Sequence, residues 1–309
     1  MPSLRTAPVN TEQILRSVVA VRASIPEDAF TAAGLGTKRE GSGVVVGKDG
    51  LVLTIGYLIT EAEEVWLTTH DGHVVPAHAL AYDQESGFGL VQALEHLDLP
   101  VLEFGSAKAA QIGDAVTFAD GSGEAIRASI VAKQEFAGYW EYLIDEAIFT
   151  APAHPSWGGA ALVGPDGKLI GIGSLRLQMV QNSEVADINM SVPIDLLRPI
   201  FDDMLQHGQV TRSPRPWLGV FSAESNGDVV VMSVTDGGPA EKAGLQRGDI
   251  ISDVRDGQVE SLADFYRKVW ETGPAGAEVP MRVVRDGRDT WVRIRSADRN
   301  SFLKKPHLQ

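Results

Sequence analysis

Residues 149–174, FTAPAHPSWGGAALVGPDGKLIGIGS, decide how this chain is read. An apolar strand leads into a tight loop at Gly158 and Gly159, then a small-residue strand, a Pro-Asp-Gly turn at 165–167, and a second apolar strand from Leu169. Small side chains let one backbone pass close to another. The run Gly158, Gly159, Ala160, Ala161 therefore predicts a loop built around a cleft.

The same pattern recurs on either side. Residues 41–54, GSGVVVGKDGLVLT, are two apolar runs joined by Asp49-Gly50, a hairpin signal. Asp-Gly pairs return at 71, 120, 166, 236, 256 and 286. Such turns between short Val, Ile and Leu runs predict a mainly β, largely antiparallel protein. Residues 11–22, TEQILRSVVAVR, predict a short helix capped by Thr11 and then the first strand. In 193–208, PIDLLRPIFDDMLQHG, the spacing of Ile194, Leu197, Ile200, Phe201, Met204 and Leu205 predicts one long helix closed by Gly208. The polar, proline-bearing QVTRSPRP that follows predicts an interdomain linker, with the boundary near 210.

With 309 residues and 44% hydrophobic content, the chain is long enough for two domains with real cores. A formal net charge of −14 argues against nucleic acid as a partner, since phosphate binding needs clustered positive charge. The absence of cysteine excludes disulfides, thiolate metal ligands and a cysteine nucleophile. No stretch reaches the ~18 apolar residues of a membrane span, and the first residues lack the basic-then-apolar pattern of a leader. The chain as written is therefore expected in the cytoplasm.

Several spaced blocks together resemble the HtrA (high-temperature-requirement) family of serine proteases. They are GSGVVV at 41–46, LVLT at 51–54, AYDQESGFGLV at 81–91, HPSWGGAALV at 154–163, SVPIDLLRPI at 191–200, and a C-terminal module holding WLGV at 217–220 and GPAEKAGLQRGDII at 238–251. The resemblance covers roughly residues 15–298. It implies an N-terminal arm (1–14), a trypsin-like double six-stranded β-barrel (15–195), a connecting helix and linker (196–213), an α+β PDZ domain (214–298) and a frayed polar tail (299–309).

An acyl-transfer protease needs a hydroxyl nucleophile, an imidazole base and a carboxylate to orient it. The resemblance sets Gly158 at the nucleophile position, Tyr57 at the base and Gly87 at the carboxylate, so no member of the triad is retained. A phenol with a pKa of ~10 is a poor base at neutral pH, and Tyr57 reads more simply as a buried, hydrogen-bonded filler. The oxyanion loop is also altered, with Ser156 in place of a glycine and the bulky Trp157 next to the nucleophile position, where it is expected to fill the cleft. The resemblance thus implies a pseudoprotease. An alternative is a serine endopeptidase-like hydrolase rearranged around Ser156 and His154. A third reading is a structural subunit whose grooves are closed by Trp157 and Trp217.

His70, His73 and His78 surround a turn without metal spacing, so no metal and no cofactor are expected. Asp83, Glu85 and Glu61 are expected to be solvated. In the PDZ module, Trp217, Leu218, Gly219 and Val220 are expected to form the loop whose amides hold a C-terminal carboxylate. Leu262, Phe265 and Val269 are expected in the core, while Tyr266, on a face shared with Trp270, is expected beside the peptide's last side chain, the alternative being that these aromatics only pack the module. The segment between Val220 and Val229 is short for the family. Implied partners are protein C-termini or unfolded polypeptides, within protein quality control, and the family adds a homo-oligomer, a trimer, and a periplasmic location should a leader be missing.

Overall fold

A computed structural model of the protein describes residues 10–181 and 184–304. The described chain forms two compact units. One is built from residues up to Gln134, from Glu146–Thr211 and from Lys304; the other from Glu135–Asp145 and Arg212–Leu303.

The first unit opens with α1 (Thr11–Arg16), β1 (Val18–Ser24), α2 (Ala32–Leu35), β2 (Lys38–Val45), β3 (Leu51–Ile55), β4 (Glu64–Thr68), β5 (Val74–Tyr82) and β6 (Phe88–Ala93). These six strands close a barrel in the order β1-β2-β3-β6-β5-β4. Every residue of β3 is buried, with Leu53 between Val44 of β2 and Leu90 of β6. A second barrel takes β7 (Ala115–Ala119), β8 (Ala125–Gly138), β9 (Tyr142–Ala151), β10 (Ala161–Val163), β11 (Leu169–Gln181) and β12 (Glu184–Pro193), in the order β10-β11-β12-β9-β8-β7. Closure leaves no unpaired edge. Its core is formed by Phe118, Ile130, Ile148, Leu162 and Ile170.

Three local expectations are corrected here. The cap of α1 is Asn10, whose side chain accepts the Gln13 amide at 3.2 Å, rather than Thr11. Residues 193–208 do not form one helix. A 3-10 turn at Ile194–Leu196 is followed by α3 (Phe201–His207), because Pro199 lacks an amide proton and its ring would meet the carbonyl of Asp195 in a continuous helix. The Asp195 carboxylate is used elsewhere, accepting from Ser106 Oγ at 3.0 Å and the Ala107 amide at 2.5 Å. The tail is ordered through Lys304: Asp298 caps a 3-10 turn at Arg299–Phe302, and the Lys304 amide donates to Glu61 at 2.8 Å. Residues 305–309 of that expectation lie outside the described residues.

Glu61 and Asp83 are not solvated. Glu61 is 7% exposed and accepts the amides of Phe30 (3.0 Å) and Thr31 (2.7 Å) and the Thr31 hydroxyl (2.6 Å). Asp83 caps the turn into β6 by accepting from the Ser86 amide (2.8 Å) and hydroxyl (2.6 Å). A buried acid is tolerable when its oxygens meet hydrogen-bond donors, and both do.

In the second unit, β13 (Val220–Ser225), β14 (Asp228–Val234), β15 (Ile250–Val254), β17 (Glu278–Arg285) and β18 (Arg288–Arg295) form a sheet in that spatial order, and the short β16 (Gly257–Gln258) pairs with β15. The helices are α4 (Pro239–Lys242) and α5 (Leu262–Trp270). The short segment between Val220 and Val229 is a tight hairpin, with Asn226 (φ 53°) and Gly227 (φ 87°) supplying the left-handed pair that a two-residue turn requires. Ser261 caps α5 by accepting the Asp264 amide at 3.1 Å. Leu262, Phe265 and Val269 enter the core, and Tyr266 is buried with them. The same core takes Leu143 from the 135–145 hairpin tip, which a contiguous 214–298 domain does not contain.

Candidate functional site

At the end of β3 the chain turns through Gly56–Leu58, and this turn carries Tyr57. Only glycine fits at 56: a Cβ there would lie 2.1 Å from the Tyr82 ring, and the Gly56 amide donates to the Gly87 carbonyl at 2.7 Å. Between β9 and β10 the loop carrying His154, Ser156, Trp157 and Gly158 is tied down by two backbone bonds. The Ser42 amide donates to the Gly158 carbonyl (2.7 Å), and the Gly159 amide to the Gly173 carbonyl (2.8 Å). Tyr57 and Gly158 are thereby brought face to face, with Gly87 behind the turn. The Tyr57 hydroxyl donates to the Ser174 carbonyl at 3.0 Å, and a Cβ on Gly158 would lie 2.7 Å from that hydroxyl.

A cavity of about 460 Å³ opens here, lined among others by Arg22, Glu40, Ser42, Tyr57, Asp120 and Trp157. Trp157 therefore forms a wall of the cleft instead of filling it. Burial pushes the Tyr57 phenol up, and its hydrogen bond with Trp157 offsets this only in part, so it stays protonated and is a weak base.

His154 is fully buried and stacked on Phe118, with ring centroids 5.7 Å apart. Asn189 holds its backbone from both sides, accepting the His154 amide (2.6 Å) and donating to the His154 carbonyl (3.1 Å). Its Nδ1 accepts the main-chain amide of Ser156 at 3.1 Å. The same Nδ1 lies 3.2 Å from the Ser156 carbonyl oxygen, and Nε2 is buried with no hydrogen-bond partner among the described residues. Acyl transfer by this fold uses the amides of the nucleophile position and of the residue two before it to hold the developing oxyanion. The second of these, Ser156 N–H, is turned inward onto His154. Among the other histidines, His73 lies 3.8 Å from Glu95, and among the described residues no three potential metal ligands are grouped.

In the second unit, Trp217 pairs with Ala297 through two backbone bonds (3.0 and 2.9 Å) and packs edge-on against Phe302. Gly219 follows at φ +74°, a left-handed conformation that aims successive amides to one side. The amides of Leu218, Gly219 and Val220 converge on a carboxylate, that of Glu141, at 2.9, 2.7 and 2.9 Å. Successive inward amides form an anion-binding concavity. Tyr266 lies beside it: its hydroxyl donates to the Gly138 carbonyl (2.7 Å) and accepts the Glu141 amide (3.2 Å). Burial pushes the Glu141 carboxyl up to about 7, against the pull of the three amides and of Arg299. Sequence reasoning missed Glu141 and Asn189.

Comparison with known proteins bears on both regions. Residues 41–172 match the family model for a trypsin-like peptidase domain, and residues 216–295 that for a PDZ domain. A DegP-like periplasmic serine endoprotease of Hahella chejuensis is 27% identical over 285 residues, which is 86% of this chain and 59% of the relative. A periplasmic Do/HhoA-like serine protease of Haemophilus influenzae is 27% identical over 292 residues, 87% of this chain and 60% of the relative. The chain thus spans about three-fifths of the curated relatives it matches. Among solved structures, the HtrA-type protease AlgW with a decapeptide matches at a TM-score of 0.55 and 21% identity, covering 96% of this chain and 98% of that one. The serine endoprotease of Yersinia pestis matches at 0.54 and 22% identity, covering 94% and 99%. The chain thus joins a trypsin-like peptidase domain to a PDZ domain, in that order, and is similar over most of its length to periplasmic DegP-like serine endoproteases.

Proposed function

We propose that this chain is an HtrA-type pseudoprotease, a non-catalytic protein that binds protein C-termini or unfolded polypeptides as an adaptor or chaperone-like regulator in protein quality control. The observation that carries this reading is the pairing of Gly158 with the Tyr57 phenol at the junction of the two barrels. The facing groups offer no hydroxyl nucleophile beside an imidazole, and Gly87 brings no carboxylate. The inward amide of Ser156 adds to this, because without it the developing oxyanion loses a donor worth roughly 10²–10³ in rate. Peptide binding is supported independently by three converging amides at 218–220, a geometry suited to a terminal carboxylate.

The names of the relatives favour an exported, periplasmic setting over the cytoplasmic expectation. Homo-oligomerisation, as a trimer, belongs to the same proposal. The competing hydrolase reading would use the Ser156 hydroxyl with His154, whose Nδ1 is already engaged by a main-chain amide. Incubating the purified chain with unfolded casein, beside a Ser156→Ala variant, tests the choice. No turnover by either is expected; turnover that disappears in the variant would overturn the proposal.

A further inference from the structure

The carboxylate loop of the second unit holds a carboxylate that belongs to the chain itself. A peptide C-terminus captured by such a module makes two kinds of contact: its carboxylate meets the converging amides, and its backbone adds to the exposed edge of the sheet. The 135–145 hairpin tip makes both. Glu141 takes the three amides at 2.7–2.9 Å. Two residues earlier, the Tyr139 carbonyl accepts the Ser222 amide at 2.9 Å, on β13, which is the edge strand of the sheet.

The third side of the groove is α5, and it is engaged as well. Tyr266 bridges Gly138 and Glu141 through its hydroxyl. Arg267, one residue on, pairs with both arms of the hairpin, Glu135 at 2.5 Å and Asp145 at 2.6 Å. Leu143 is 8% exposed within the apolar core of the unit. Glu141 itself stands at φ 59°, a left-handed conformation that a non-glycine residue seldom adopts without contacts that hold it there. A hairpin that merely rested on this unit would have no need to present a carboxylate to three amides at its tip.

We propose that Glu141 is a resident ligand of the PDZ carboxylate loop, so that the groove is filled in the resting chain and an incoming protein C-terminus binds only by expelling the 135–145 hairpin. This rests on the reading above that the loop takes C-termini. The site is therefore self-inhibited, and its apparent affinity is the intrinsic one reduced by the fraction of chains whose hairpin is undocked. A tethered ligand competes at an effective concentration in the millimolar range, so the reduction is about tenfold or more. The strands that carry the hairpin, β8 and β9, lie in the second barrel, and β9 ends three residues before His154.

The test uses the whole chain and a panel of fluorescein-labelled decapeptides ending in Val, Leu, Ile or Phe, each with a free or an amidated C-terminus. Hydrogen exchange at residues 218–220 is followed without peptide. In Glu141→Ala the exchange protection of these amides should fall, and panel affinity should rise at least about tenfold over the parent for the free carboxylates only. Arg267→Ala, which loosens the hairpin without touching the amides that hold the carboxylate, should move both readouts in the same direction and guards against misfolding of the first variant. Protection unchanged in both variants, or equal peptide affinity in parent and variants, overturns the proposal. Protection lost in Glu141→Ala with no peptide bound by any form would leave Glu141 as the resident ligand and refute the peptide-binding function.

Discussion

Replacing Gly159 by alanine should cost far more stability than replacing its neighbour Gly158. Gly159 has φ +77°, and an added Cβ would lie 1.9 Å from the Ser42 carbonyl oxygen and 2.6 Å from Thr54 Oγ1. That carbonyl is already fixed by the Thr54 hydroxyl at 2.6 Å, so relief requires backbone movement. A left-handed alanine costs ~1–2 kcal/mol. Overpacking adds ~1–3 kcal/mol, for a total of about 2–5 kcal/mol. At Gly158 the Cβ would meet only the Tyr57 hydroxyl, at 2.7 Å, the end of a side chain that can turn away. Losing the Tyr57 bond to Ser174 costs about 1 kcal/mol. A gain of ~0.4–1 kcal/mol from removing a glycine's freedom in the unfolded chain offsets most of it. For a unit of this size the midpoint moves roughly 2–4 °C per kcal/mol, so calorimetry should place Gly159→Ala about 4–20 °C below the parent and Gly158→Ala within a few degrees of it. Equal shifts in the two variants would refute the account of how this loop is held.

Three further outcomes are expected. Burial alone would raise the Glu61 carboxyl, but hydrogen bonds from Lys304, Thr31 and Phe30 together hold it below its usual value. Its contribution is therefore present above the unfolded value of ~4.3 and lost as pH falls through the folded one; Glu61→Gln should lose about 2–3 kcal/mol in urea titration at pH 7, with the difference shrinking below about pH 4. Asp249 is 1% exposed and takes Arg285 through Nε and Nη2, both at 2.6 Å, so Asp249→Ala should destabilise the second unit by about 3–5 kcal/mol, read as the urea midpoint of its exchange protection. Glu141 titrates upward on docking, to about 7, facing Tyr266 of α5, Arg299 of the 3-10 turn and, at the hairpin base, Arg267 with Glu135 and Asp145. Docking then takes up a proton. It is strongest below pH ~4.5 and weakens as pH rises to about 7, so exchange protection at 218–220, corrected for intrinsic rates, should fall over that range in the parent and stay flat in Glu141→Gln.

Local chemistry was legible wherever a short segment settles its own shape. Asp49-Gly50 marks the β2–β3 hairpin, and the small residues at 158–161 mark a loop pressed between two barrels, because these constraints act within a few residues. Helical spacing at 193–208 does not yield one helix because Pro199, inside the apolar period, has no amide to donate. Charge suggests exposure at Glu61 and Asp83, yet both are buried: Glu61 among donors that only the folded chain assembles, one of them Lys304, 243 residues away, and Asp83 in a local turn closed by Ser86, three residues on. Glu141 carried no signal at all in EFAGYWEY. Its partners lie 77 to 79 residues on, and its role is set by the loop it meets. Tyr57, Gly87 and Gly158 were singled out by family resemblance, and their mutual geometry came from the structure.

The measurement that tests the central claim most directly is active-site labelling of the purified chain with a fluorophosphonate probe, run beside casein turnover and a peptide-binding assay on Glu141→Ala. The account predicts no covalent adduct and no turnover, with carboxylate-dependent peptide binding in the variant. An adduct at Ser156 accompanied by turnover that Ser156→Ala abolishes would contradict it.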